Sequence, residues 1–230
     1  ARGISAMAIA EAPDANALLA GDADLIVLGV KPYQIVDVLN EIKDEIAPNA
    51  VVISMAAGIK LETMAAVVPG NKNLIRTMPN TPALVGMGVT GVAPASSAAE
   101  DAIDATLELF NAVGVALEIT EDQIDALSAV SGSGPAWVFY IMEQWEKIAV
   151  NHGFTAEQAA LMVRGTVAGS IDLLAQSDKE LAELRANVTS PGGTTEQIIA
   201  SLEKADLQGI FEQSLQQALK RAREIGEGKG

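Results

Sequence analysis

Three short apolar runs, each of strand length and each followed by turn residues, constrain this chain more than any other feature. They are Asp24 to Val30 (DLIVLGV), Ala50 to Ser54 (AVVIS) and Asn73 to Met78 (NLIRTM). Continuous apolar runs of this length, rich in β-branched residues, are the pattern of buried strands. After the first, Ile35, Val38, Leu39, Ile42 and Ile46 recur at helical spacing and share one face, until Pro48-Asn49 breaks the pattern. A short helix is expected over Leu61 to Val67, and further strands at GVTGVAP (88–94) and VALEI (115–119) flank a helix within 96–113. Strands alternating with helices imply an α/β domain built on a largely parallel sheet with both faces covered.

After Ile119 the pattern changes. Helical segments are expected over 122–130, 135–151, 156–175, 178–187, 195–203 and 207–225, with short Gly or Pro punctuation and no strand. The reading is therefore two domains, α/β over 1–120 and all-helical over 121–230. Apolar residues along 135–175 wrap most of each helix. A helix of that kind must be buried, and so short a stretch offers little interior, so a subunit interface is expected here.

Composition narrows the function classes. Fifteen basic residues against thirty acidic ones give a net charge of −15, which opposes nucleic acid and anionic lipid as partners. The chain has no cysteine and one histidine, which excludes thiolate and histidine-rich metal sites and fits a reducing, cytoplasmic setting. No apolar run is long enough to span a bilayer, and the first residues show no signal-peptide pattern. An anionic ligand must then be held by backbone amides or by a few placed side chains.

Several turns are candidates for that work. GMGVTG (86–91) matches G-x-G-x-x-G literally, but it leads into a strand pattern rather than opening a helix, so it is not read as a dinucleotide fingerprint. VLGVKP, SMAAGI and TMPNTPA each end a strand, where ligands gather in open parallel sheets. Lys31 supplies a cation there, Ala56, Ala57 and Gly58 leave room against the backbone, and Asn80 offers an amide donor and acceptor. SGSGPA (131–136) reads as a helix start with Pro135 in the first turn. His152 in NHGF reads as a residue at a helix end closed by Gly153. NVTSPGGTTEQI (187–198) places Thr194 and Thr195 where free amides and the positive end of a helix dipole converge. A carboxylate site and a well-capped helix are equally good readings of it.

Taken together, DADLIVLGVKP, VVISMAAGI, IRTMPNTPALVG, EDQIDALSAVSGSGPAWVF and NVTSPGGTTEQII resemble pyrroline-5-carboxylate reductase in unbroken order from about Asn16 to Glu224. The resemblance implies a Rossmann-like sheet domain followed by an all-helical dimerisation domain. The implied reaction is reduction of 1-pyrroline-5-carboxylate to L-proline by NADPH (or NADH). It implies cofactor contacts from Asn16, from Val30, Lys31 and Pro32, from Ala56 and Ala57, and from Met78 and Asn80. Asn187 reaches the cofactor from the helical domain. Substrate contacts are implied at Glu121, Val188, Ser190, Gly193, Thr194 and Thr195. The Thr194 and Thr195 amides would take the carboxylate, and the Thr195 hydroxyl, the catalytic group, the ring nitrogen. The homodimer of such enzymes shares loops between chains at one pocket, and dimers assemble into larger rings such as decamers. A protonated imine already accepts hydride well, so the chemistry needs orientation and electrostatics rather than His, Cys or a metal.

The family's opening strand, glycine-rich turn and helix, which cradle the pyrophosphate, are not found in this sequence, and weak dinucleotide binding is expected without them. Two alternatives remain from the residues. One is a related two-domain imine or hydroxyacid dehydrogenase, against which stands the lack of a lysine in the comparable helical segment. The other is a non-catalytic assembly module.

Overall fold

A computed structural model describes residues 6–10 and 12–226. The chain divides into two compact units, residues 1–135 with 218–230, and residues 136–217.

In the first unit five strands lie side by side in chain order: β1 (Leu25–Leu28), β2 (Val51–Ser54), β3 (Leu74–Met78), β4 (Gly88–Pro94) and β5 (Gly114–Glu118). β1, β2 and β3 run parallel, with Leu28 beside Ser54 and Ser54 beside Arg76, so their carboxyl ends share one rim. β4 runs antiparallel to β3, and β5 is parallel to β4. The sheet is thus mixed. The link between β3 and β4 holds only a turn of 3-10 helix (Thr81–Val85), and a parallel crossover needs a dozen or more residues, so β4 must double back.

The helices α1 (Ala15–Gly21), α2 (Ile35–Ile42), α3 (Leu61–Val67) and α4 (Glu100–Asn111) cover the sheet. Successive strand residues point to opposite faces. Val52 and Leu74 pack with Ile35, Leu39, Ile42 and Met64 from α2 and α3. Ile53 and Ile75 pack on the other side with Val92, Ala102 and Phe110. Completely burying side chains of this size contributes roughly 1.5–3 kcal/mol each, so these two clusters hold the domain together. β1 is an edge strand with Val27 exposed. A cavity of about 510 Å³ lies along it, lined by Asn16, Leu19, Val30 and Val38 among others.

The last strand ends at Glu118, and the described residues after it are helical or in turns. The segment expected as one helix over 122–130 is a 3-10 turn (Glu121–Gln123), a single α turn α5 (Ile124–Leu127) and a π-helical turn (Ser128–Gly132). Next come α6 (Gly134–Asn151), α7 (Ala156–Ala175), α8 (Leu181–Asn187), α9 (Thr194–Lys204) and α10 (Leu207–Gly226). α7 begins with a reciprocal cap: Gln158 donates its amide N–H to Thr155 Oγ1, and Thr155 donates its own to Gln158 Oε1. His152 is exposed just past the end of α6, followed by Gly153 at φ +95°.

The second unit has little interior of its own. Its buried residues among those described are Ala159 and Val163, and the rings of Trp137 and Phe211 meet at 5.5 Å between centroids, tilted by 33°. α6 buries none of its residues, and Phe139, Tyr140, Leu161, Ile171 and Leu173 are all exposed. Apolar faces on this scale mark a surface that a partner covers.

Candidate functional site

Parallel pairing brings the ends of β1, β2 and β3 to one rim, and most of the cofactor positions expected from the sequence lie there. Beyond β1, the chain passes Gly29 and half-buried Val30 to exposed Lys31, and Pro32 opens a short 3-10 turn. Gln34 accepts the Lys31 backbone N–H at 3.2 Å, which fixes this turn and leaves the ammonium in solvent. Beyond β2, Ala56 is buried and donates its N–H to Ser54 Oγ at 3.2 Å. Ala57 is exposed and Gly58 turns at φ +78°. Small residues and the exposed Lys31 ammonium, which has no ion-pair partner among the described residues, suit a ribose or phosphate, so this rim fits a dinucleotide.

Two expected cofactor residues have their amides committed elsewhere. Asn80, just past β3, accepts the Val89 N–H at 2.8 Å and donates to both the carbonyl and the hydroxyl of Ser131 at 3.1 Å. It ties the end of β3 to the π-helical turn before α6. Asn16 donates to the Glu41 carboxylate at 3.1 Å beside the β1-edge cavity. The half-buried Met78 side chain lies by that turn, where a side chain at Gly132 would come 3.5 Å from Met78 Cε. Of the glycines of GMGVTG, Gly86 turns the chain at φ +74° with open space around it, and the other two serve packing. A side chain at Gly88 would strike Ala83, and one at Gly91 would strike Ile119 and Leu127.

Glu121, expected as a substrate contact, lies between α3 and β3. Its Oε1 accepts the Leu61 backbone N–H at 2.7 Å and an Arg76 guanidinium N–H at 2.8 Å. Arg76 is 5% exposed, and its Nε has no partner among the described residues. The guanidinium is buried while the Glu121 carboxylate stays partly exposed, and the buried charge depends on that partner because an uncompensated one is costly. The sequence carried a signal for it: one Arg inside the apolar run NLIRTM needs an acid nearby.

The second unit holds the hydroxyl-rich loop. α8 ends at Asn187, and Thr189 Oγ1 donates to the Arg185 carbonyl at 2.7 Å. Gly192 adopts φ +72° and donates its N–H to Glu196 Oε2 at 2.8 Å. Gly193 donates to the Ser190 carbonyl at 3.0 Å, and a side chain there would meet Ser190 Oγ at 2.6 Å. α9 then starts at Thr194, with no side-chain cap from Gly193. First-turn amides of a helix lack intrahelical acceptors and carry the positive dipole end. Thr194 is exposed and Thr195 half-buried, so this turn presents donors and a hydroxyl together. Asn187, Val188 and Ser190 are exposed on the same loop. Glu196, which closes the loop, was not among the expected site residues, although T-T-E after G-G has the form of a helix start.

Among the described residues no group of acidic or histidine side chains is arranged to hold a metal ion, and no helix is long and apolar enough to cross a membrane.

Comparison with known proteins adds the lineage. The family profile for pyrroline-5-carboxylate reductase dimerisation matches residues 121–225, and that for ketopantoate reductase PanE/ApbA matches residues 5–91. A pyrroline-5-carboxylate reductase of Methanosarcina acetivorans is 36% identical over 92% of this chain and 78% of its own length. One from Pseudomonas aeruginosa is 35% identical over 94% and 80%. The solved structure of the Coxiella burnetii enzyme is 38% identical and superposes with a TM-score of 0.86 over 91% of this chain and 78% of that one. That of the Plasmodium falciparum pyrroline carboxylate reductase, with NADP bound, is 31% identical with a TM-score of 0.79 over 92% and 80%. By sequence over nearly all its length and by fold, the chain belongs to the pyrroline-5-carboxylate reductase family.

Proposed function

We propose that this protein reduces 1-pyrroline-5-carboxylate to L-proline, the last step of proline biosynthesis, with NAD(P)H as reductant. The observation that carries the reading is the start of α9. There a double-glycine turn, closed by Glu196, leaves the amides and hydroxyls of Thr194 and Thr195 together at a helix N-terminus. Amides so placed take the substrate carboxylate without basic side chains, as an acidic protein requires. The Thr195 hydroxyl accepts the N–H of the protonated ring nitrogen and holds the imine carbon in one orientation. Val188, Ser190 and Gly193 shape the same pocket.

Lys31, with Val30 and Pro32, binds the dinucleotide phosphate or ribose at the rim, Ala56 and Ala57 lie under it, and Asn187 adds a contact from the helical unit. When bound, the dinucleotide supplies the hydride. The imine carbon would accept that hydride as the C=N π pair passes to nitrogen, which would keep its proton and become the secondary amine of proline. No strong general acid is called for, because the electrophile is already charged.

The helical unit is the dimerisation element in this proposal. Its exposed faces on α6 and α7 are covered by a second copy, and dimers assemble further into rings such as decamers. The functional division of the chain is placed at 120/121, where strands give way to helices. The protein is assigned to the cytoplasm, with no nucleic acid or membrane partner. The test is NAD(P)H oxidation dependent on 1-pyrroline-5-carboxylate, with proline identified as product. Oxidation that yields no proline would refute the assignment.

A further inference from the structure

We infer that Glu121 is a positioning residue for the cofactor side of the reaction and not a contact of the substrate. A single oxygen, Oε1, receives both the Leu61 backbone N–H at 2.7 Å and Arg76 Nη1 at 2.8 Å. Leu61 is the first residue of α3, and its own N-cap residue, Lys60, provides no side-chain cap. Glu121, sixty positions along the chain, supplies that cap, and a carboxylate is the favoured group at a helix N-terminus.

What this cap holds is the turn between β2 and α3. Ala56, Ala57 and Gly58 occupy that turn, with the backbone left-handed at Gly58, and only Ile59 and Lys60 separate it from the capped amide. On its other side the carboxylate is anchored to Arg76. That side chain leaves β3 on the face of Leu74, is 5% exposed, and has Nε without a partner among the described residues. The guanidinium pairs with Glu121 and, being buried, cannot release it cheaply. Glu121 thus couples the sheet, the start of α3 and the Ala56–Gly58 turn into one rigid corner. Both bonds fall on Oε1, and turning the carboxylate toward a substrate would loosen the cap on α3 and the compensation of a buried cation together.

The inference rests on reading the Ala56–Gly58 turn as a cofactor contact, and the experiment separates the two. Glu121→Gln keeps a carbonyl oxygen for both donors, Glu121→Ala removes the cap, and Glu121→Asp withdraws it while keeping a charge for Arg76 should the alanine variant not fold. Each is measured by amide hydrogen exchange over residues 56–64 and by Michaelis constants for NAD(P)H and for 1-pyrroline-5-carboxylate. The expected result in the alanine or aspartate variant is faster exchange over 56–64 and a cofactor KM raised about fivefold, the scale of a lost cap. The imine KM should stay within error, and glutamine should give the smaller change. A raised imine KM with exchange and cofactor KM unmoved would overturn the inference and restore Glu121 to the substrate. Faster exchange with neither KM moved would also overturn it, by showing that the turn after β2 is not where the cofactor sits.

Discussion

Gly192 donates its backbone N–H to the Glu196 carboxylate at 2.8 Å, so the glycine that turns the loop is held by the third residue of the helix that follows. This bond closes the segment that presents Thr194 and Thr195. Glu196→Ala removes the acceptor, and the loop should loosen by roughly the ~1 kcal/mol of one exposed hydrogen bond, raising the KM for 1-pyrroline-5-carboxylate about fivefold. Steady-state kinetics check this, with the NAD(P)H KM as the internal control that should not move.

Thr195→Ala deletes the hydroxyl that holds the reacting nitrogen and leaves the helix backbone unchanged. A hydrogen bond to a charged group contributes about 1.5–3 kcal/mol, so kcat/KM should fall roughly 10- to 100-fold with the melting curve and oligomer mass preserved. Wild-type turnover in this variant would remove Thr195 from the mechanism.

At Gly193 the constraint is steric. A side chain there would lie 2.6 Å from Ser190 Oγ, which can rotate away, and 3.0 Å from the Ser190 carbonyl oxygen, which cannot, so Gly193→Ala presses on the turn that sets the start of α9. The expected outcome is a raised imine KM together with a loss of stability of about 1–3 kcal/mol, read from denaturant unfolding.

Lys31 carries an exposed ammonium at the end of β1, with its turn fixed by Gln34 rather than by its own side chain. Lys31→Ala should raise the cofactor KM about fivefold, equivalent to ~1 kcal/mol for one exposed ionic contact, and leave the imine KM alone. The wild-type cofactor KM should rise with salt, and the variant's should rise less.

Oligomerisation is tested by mass. Sedimentation equilibrium at micromolar protein should give at least twice the 23.8 kDa of one chain. Charges placed on exposed apolar positions, as in Phe139→Asp with Leu161→Glu, should shift the mass toward the monomer.

Where the sequence spoke through local pattern, it was legible. The α2 face of Ile35, Leu39 and Ile42 is buried as its spacing requires, and α3 and β4 have the boundaries their punctuation sets. The direction of β4 was not legible, because strand direction follows from the link before it rather than from the strand's own residues. The partner of Asn80 and the cap that Glu121 gives Leu61 were not legible either, although the lone Arg in NLIRTM called for an acid. Ser131 lies 51 positions from Asn80, and Leu61 lies 60 from Glu121, and long-range pairing leaves no local periodicity. Family resemblance named both residues as ligand contacts, and their hydrogen bonds in the folded chain add that they hold neighbouring elements in place. The Thr194–Thr195 turn was legible because helix-start chemistry is written within a few residues.

The most direct test is a crystal structure of the protein with L-proline bound. The account predicts the proline carboxylate on the backbone amides of Thr194 and Thr195, with the ring nitrogen within hydrogen-bonding distance of Thr195 Oγ1. Proline well ordered at another place, with the start of α9 free of it, would contradict the account.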